Sequence, residues 1–264
     1  MKRLLLALVT TLFALSAQAA LDHRYAAWEN LLARHVRWLP DQVQTRVDYA
    51  GFARDRVALQ QVLAEWSAVR SAEFEAYSRE QQMAFLINAY NGFTVELILT
   101  RWPDLKSIKD IGSFFFSPWK QRFFTLLDEP RHLDWIEHEQ LRPRYREPRV
   151  HAAVNCASIG CPALRPEAFV AARLDAQLED GMRRFVADRT RNRVREGRLE
   201  VNEVFKWFRE DFERGHRGWN RVEDVFATHA QRLSDDAAVQ QRLRERKLPV
   251  SFLAYDWSLN GVGR

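Results

Sequence analysis

Ser78-Arg-Glu-Gln81-Gln-Met-Ala-Phe85-Leu-Ile-Asn88-Ala-Tyr90-Asn91-Gly-Phe-Thr-Val95-Glu-Leu-Ile-Leu99 is the stretch on which the fold turns. Ser78 followed three residues later by Gln81 is a capping-box pattern, in which each side chain accepts from the other residue's backbone N–H. Beyond it, apolar residues fill nearly every position instead of one stripe. A helix of that kind must be buried on all sides, so it is expected at the centre of the molecule. It should stop near Trp102-Pro103, because the residue before proline disfavours helical backbone.

Upstream, His23 to Trp38 has helical spacing, with Tyr25, Trp28, Leu31 and Leu32 apolar and Pro40 ending it. Val47-Asp48-Tyr49 reads as short and extended. Val57 to Val69 reads as a helix with Leu59, Val62, Leu63 and Trp66 on one face.

Downstream, Ile111 to Pro118 is an aromatic loop and Arg122 to Leu127 has the bias of a strand. Leu133 to Leu141 reads as a short helix ended by Pro143. Pro166 to Asp188 reads as a long amphipathic helix with proline in its first turn. Asn192 to Asn202 reads as a hairpin turning at Glu196-Gly197. Helices are expected over Glu203 to Phe212, Val222 to Gln231 and Asp235 to Arg246. The tail Leu248 to Trp257 is apolar enough to dock. The fold class is therefore α+β, one predominantly helical domain with a few short strands over residues 20–264.

The N-terminus carries an export pattern. Lys2 and Arg3 precede an apolar run from Leu4 to Leu15, and Ala17 and Ala19 suit a signal-peptidase site. The run is shorter than the roughly 18–20 residues that span a bilayer. A cleaved signal peptide over residues 1–19 is expected, with the mature chain periplasmic or secreted and free of any transmembrane segment.

The formal charge of +5 falls to +3 once Lys2 and Arg3 are gone, 38 basic residues facing 35 acidic ones. That is too mild to call for nucleic acid. Nine Trp and seventeen Phe suggest a core built on aromatic packing. Two cysteines exclude a disulfide-dense scaffold.

The chemistry concentrates in His151-Ala-Ala-Val-Asn155-Cys156-Ala-Ser158-Ile-Gly160-Cys161-Pro162. Cys156 has small neighbours, which leave room for a substrate and for backbone N–H groups to face it. It can be a nucleophile. It can equally pair with Cys161, since Gly160 and Pro162 allow a loop that a regular helix would not. A zinc site with His151 matches no common ligand spacing. His151 and Cys156 are five apart, about 140° around a helix and opposite faces of a strand, so they do not meet through regular structure. His138, beside Glu137, is a second candidate base. Asn88 and Asn91 are poor helix formers on an apolar helix. They either brace neighbouring loops or orient a catalytic group and support an oxyanion. Arg189, Arg191, Arg193 and Arg195 would share a face if extended, either as an anion site or as a solvated hairpin edge.

With these motifs in view, the chain resembles the family of domains of unknown function numbered 547. The carrying residues are Asn88-Ala-Tyr90-Asn91, Ile136-Glu137-His138, and Pro148-Arg149-Val150-His151 through Cys156-Ala-Ser158 to Cys161-Pro162. Phe205-Lys-Trp207-Phe208 with Asp211-Phe212, and the tail Tyr255 to Asn260, complete them. The resemblance runs from about Asp48 to Asn260. The family pattern commonly has an aromatic after the motif histidine, where this chain has Ala152. By analogy of Cys, His and amide residues, it suggests kinship with papain-like or transglutaminase-like cysteine enzymes. Such kinship would make the chain a cysteine-dependent acyl or amide hydrolase or transferase acting on a small molecule or peptide. Its site residues would be Cys156, His138, His151, Glu137, Asn88 and Asn91, with no cofactor and no metal. The other reading is a non-catalytic binding or structural module with a Cys156–Cys161 disulfide. Substrate, pathway and oligomeric state stay open at this point.

Overall fold

The computed structural model describes residues 20–113 and 116–263. The export pattern over residues 1–19 lies outside the described residues, as do Phe114 and Phe115 of the aromatic loop. The expected class holds: among the described residues, short helices surround one long one and the strands form three small sheets.

Helix α1 is Ala26–His35, and strand β1, Val36–Trp38, follows it directly. The single helix expected to Trp38 is thus shorter, because Val36-Arg-Trp38 pairs antiparallel with β2, Thr45–Val47. Tyr49 is not extended either. Asp48 caps helix α2, Tyr49–Arg54, by accepting from the Gly51 N–H, which pulls Tyr49 into the helix. Helices α3, Arg56–Ser67, and α4, Ser71–Glu75, lead to α5, Arg79–Leu99.

Both halves of the Ser78–Gln81 capping box form, and every residue from Gln82 to Val95 is buried. Trp66 of α3 lies against Gly92, where an added Cβ would meet its ring at 2.7 Å and Leu63 at 3.1 Å. Gly92→Ala is therefore expected to destabilise by about 1–3 kcal/mol through overpacking, against a helix-propensity gain of about 1. Urea denaturation checks this, and a net stabilisation would show that the α3–α5 contact yields freely.

A hairpin of β3, Phe124–Leu126, and β4, Glu129–Arg131, follows. The next helix does not end at Pro143. Trp135–Leu141 is π-helical and continues into α6, Arg142–Tyr145. A proline inside a helix removes one N–H and presses on the carbonyl four residues back. The widened turn ahead of Pro143 accommodates both effects. A second departure comes after the cysteines. Residues 163–170 are irregular, and α7 is only Leu174–Ala187. The backbone of Phe169 is bound at both its N–H and C=O by Asn88, which holds that stretch out of a helix.

The hairpin of β5, Arg193–Arg195, and β6, Arg198–Asn202, turns at Glu196-Gly197 in left-handed backbone. Of the four arginines only Arg193 and Arg195 lie in the strand, because Arg189 and Arg191 sit in the turn ahead of it, so no extended face of four forms. Arg189 pairs with Asp235, Arg191 with the buried Asp188, Arg193 with Glu200 and Arg195 with Glu196. Helices α8, Val204–Trp207, and α9, Arg209–Phe212, break at Phe208. Helices α10, Val222–Thr228, α11, Ala230–Leu233, and α12, Ala237–Arg244, come next. The tail then docks as β7, Val250–Leu253, parallel to β6.

Two apolar cores result. The first surrounds α5, with Phe93 and Phe124 stacked at 3.9 Å between centroids. The second holds Phe185, Phe205, Phe212 and Phe226. No helix among the described residues is long and apolar enough to cross a membrane.

Candidate functional site

The segment from Pro148 to Pro162 is locked before it reaches its cysteines. Asn91 donates to the Ala153 carbonyl at 3.0 Å and accepts the Asn155 N–H at 2.8 Å. Asn155 in turn donates to the Pro162 carbonyl and accepts from the Ala157 N–H. That last bond holds Ala157 at φ 64°, left-handed backbone unusual for a side-chain-bearing residue. The tail runs alongside: Ile159 N–H donates to Ser258, Gly160 N–H to Asp256, and Asn260 N–H to Ala157. A Cβ on Gly160 would meet the Tyr255 ring at 2.7 Å, so glycine is what allows that ring to lie here.

Cys156 and Cys161 are joined as a disulfide. Their loop is the irregular one that Gly160 and Pro162 suggested. Both sulfurs line a cleft of about 230 Å³, whose walls include Tyr90, Trp119, Trp207, Phe208, Tyr255 and Trp257. Tyr255 OH lies 3.2 Å from each sulfur, and Ser158 Oγ 3.3 Å from each.

His151 lines the same cleft, from the short 3₁₀ turn Pro148–Ala152. Its ring is 2% exposed and stacks on Phe208 at 3.8 Å. Nε2 is 2.8 Å from Asp211 Oδ2, and Nδ1 is 3.5 Å from Glu137 Oε1 without a hydrogen bond of good geometry. Arg142 donates to the same Asp211 oxygen and to His138 Nδ1. Burial would raise the Asp211 carboxyl. Hydrogen bonds from His151 and Arg142 outweigh it and hold the group well below the usual carboxylate range. Glu137 follows the same logic, with burial opposed by His151, His138 and the Tyr90 hydroxyl, and its net shift is also downward. Asp134, on the cleft wall, is shifted upward by burial.

Cys156, His151, His138 and Glu137 thus share one cleft, although no regular spacing joins them. His138 sits at its rim, 37% exposed. Asn88 and Asn91 do not line it, since their amides are occupied by the backbone of the loops on either side. Asp211, Tyr90, Ser158 and Tyr255 had no role assigned from sequence. Their signal was membership of the family-like motifs: Tyr90 beside Asn91, Ser158 in the cysteine segment, Asp211 beside Phe212 and Tyr255 in the tail. Among the described residues, no group of three His, Cys, Asp or Glu side chains is placed to hold a metal ion.

The helix with Asn88-Ala-Tyr90-Asn91, the turn with Glu137-His138 and the cysteine segment now stand together. Residues 74–186 match the family described as Protein of unknown function, DUF547. No curated protein and no solved structure matches the chain. The DUF547 segment supplies Tyr90, Glu137, His151, Cys156 and Cys161. Val204, Trp207, Phe208, Tyr255 and Trp257 lie beyond it, as does Asp211 behind His151, so the matched segment supplies most of the cleft and the following residues complete its aromatic wall.

Proposed function

We propose that the cleft is the substrate site of a cysteine-dependent acyl or amide hydrolase or transferase, active once Cys156–Cys161 is reduced. The observation that carries this reading is the shared cleft: half-buried Cys156 opens into it beside a histidine whose Nε2 is held by Asp211. That is an oriented imidazole, held at Nε2 by Asp211 with Nδ1 turned toward Glu137. His138 is the second candidate, at the rim and with its Nδ1 already occupied by Arg142.

In the first step His151 takes the Cys156 thiol proton as the sulfur adds to a carbonyl carbon. The leaving alcohol or amine departs with that proton, and the acyl group remains on Cys156 as a thioester. Water or an amine then displaces the thiol and completes hydrolysis or transfer. Ser158 and Tyr255 supply hydroxyl donors at the sulfur, and the aromatic walls supply apolar contact for the acyl donor.

The same proposal places the working protein outside the cytoplasm, as a periplasmic or secreted chain cleaved after Ala19. Support comes from the Lys2–Ala19 pattern and from a closed disulfide, which oxidising compartments favour.

p-Nitrophenyl acetate tests the chemistry. The reduced chain should release a burst of p-nitrophenolate matched by one acetyl group on Cys156 by mass. The oxidised chain and Cys156→Ser should give none. A burst retained in Cys156→Ser would sink the mechanism, as would reduced protein reacting no faster than a free thiol at the same pH.

The closed disulfide favours a second reading, a non-catalytic binding module in which it staples the cleft floor. Under that reading reduction only costs stability, roughly 2 kcal/mol for so short a loop, and no acyl group is taken up.

A further inference from the structure

We infer that Cys156–Cys161 is an exchangeable disulfide, attacked at Cys156 by an incoming thiolate and releasing Cys161 as the leaving sulfur. The inference does not depend on acyl chemistry, since a cleft that only binds a ligand would exchange equally well.

The two sulfurs are unequal in access. Cys156 is half-buried, whereas Cys161 is 2% exposed. A thiol entering the cleft therefore meets Cys156 first.

They are also unequal in support. Cys161 Sγ accepts from the Cys156 N–H at 2.9 Å, while the Ser158 and Tyr255 hydroxyls reach both sulfurs at the same distances, 3.3 and 3.2 Å. Behind it, the buried guanidinium of Arg191 donates to the carbonyls of Cys161 and Ile159. Its counter-charge, Asp188, is held on the far side by Gln44 and Thr190. The positive end of that pair faces the cysteine loop. The Cys156 N–H and the Arg191 guanidinium favour negative charge on Cys161 in particular, the two hydroxyls serve whichever sulfur is charged, and a leaving thiolate departs faster the better it is stabilised.

The step balances without a metal or a nucleotide. A thiolate RS⁻ attacks Cys156 Sγ. The bond to Cys161 breaks, giving a mixed disulfide on Cys156 and a Cys161 thiolate. A second thiolate attacks the R sulfur, forming R–S–S–R and freeing the Cys156 thiolate. Two electrons pass from the thiols to the protein, and the two thiol protons end on the cysteines or in solvent. The co-reactant is a thiol carried on a small molecule or peptide that lies against the packed rings of Trp207, Tyr255 and Trp257 on the cleft wall. Their ring centroids are 4.5 to 5.7 Å apart.

Glutathione is the probe, with the folded chain oxidised at the start and no acyl donor present. Reduction, quenched with iodoacetamide and read by mass, should be fast and independent of sub-denaturing urea. Tyr255→Phe keeps the ring over Gly160 and removes one donor, so it should slow reduction about 3- to 10-fold. In single-cysteine chains, oxidised glutathione should label Cys156 in Cys161→Ser at least ten times faster than Cys161 in Cys156→Ser. Reduction that rises with urea in step with unfolding would overturn the inference, because a staple opens only when the fold does. Equal labelling of the two single-cysteine chains would overturn the direction of attack, and an unchanged Tyr255→Phe rate would overturn the role of the hydroxyl. Acyl uptake is read separately, so either idea can fail while the other stands.

Discussion

Asp211→Asn should lower the unfolding free energy near neutral pH by about 3–5 kcal/mol, the usual result of removing one partner from a buried ion pair. Asp211 is 5% exposed and serves His151 and Arg142 through one oxygen. The amide removes the charge and turns a donor toward groups that need an acceptor. The pH dependence follows in sign. A carboxyl whose pKa is depressed in the folded state contributes stability that is fully present above its unfolded pKa of about 3.9. That contribution drains away as pH falls through the lower folded value. Wild-type stability should therefore fall from about pH 5 downward, and the asparagine variant should show a shallower acid limb. Denaturant titrations from pH 7 to pH 3 read both effects. Parallel acid limbs would mean that other carboxylates carry the loss.

Asn91→Ala should cost about 2–6 kcal/mol, because it orphans two buried backbone groups at about 1–3 each. Those groups are the Ala153 carbonyl and the Asn155 N–H, both on the approach to Cys156. The variant should also speed alkylation of reduced Cys156, since the turn at Ala157 depends on the position of Asn155. Asn91→Asp keeps an acceptor for the Asn155 N–H but loses the donor to Ala153, so it should fall between the two. Equal stability of all three chains would show that water replaces the amide without cost.

The elements legible in the sequence are those whose cause is local. Ser78 and Gln81 announce the start of α5 through a bond between neighbours, and the missing polar face announces its burial. The hairpin at Glu196-Gly197 is local in the same way. Misreadings occurred where a distant residue decided the outcome. Asn88, 81 positions away, keeps Phe169 from joining α7. A π-helical turn ahead of Pro143 let the chain stay helical where a proline normally stops it.

The cleft obeys the same distinction. Cys156, His151 and Glu137 could be named because each stands in a short, unusual context. Asp211 comes to His151 from 60 residues away and Tyr255 to Cys156 from 99. Asp211 and Tyr255 stood in family-like motifs, but nothing in those motifs says which remote residue each one meets. Asn88 and Asn91 were visible as anomalies, but their partners, backbone groups of remote loops, were not.

The residues just ahead of the cysteines belong to both apolar cores. Val150, Ala153 and Val154 pack into the first, and Ala152 into the second. The cleft itself is bounded by Tyr90 from the first core and Val204 from the second. Neither half can melt without disturbing this seam, so the two should behave as one cooperative unit. A molecule seated between Tyr90 and Val204 is then felt across the whole chain as a rise in melting temperature that grows with its concentration. Thermal-shift screening of thiols, esters and peptides can thus search for the natural ligand before any reaction has been observed.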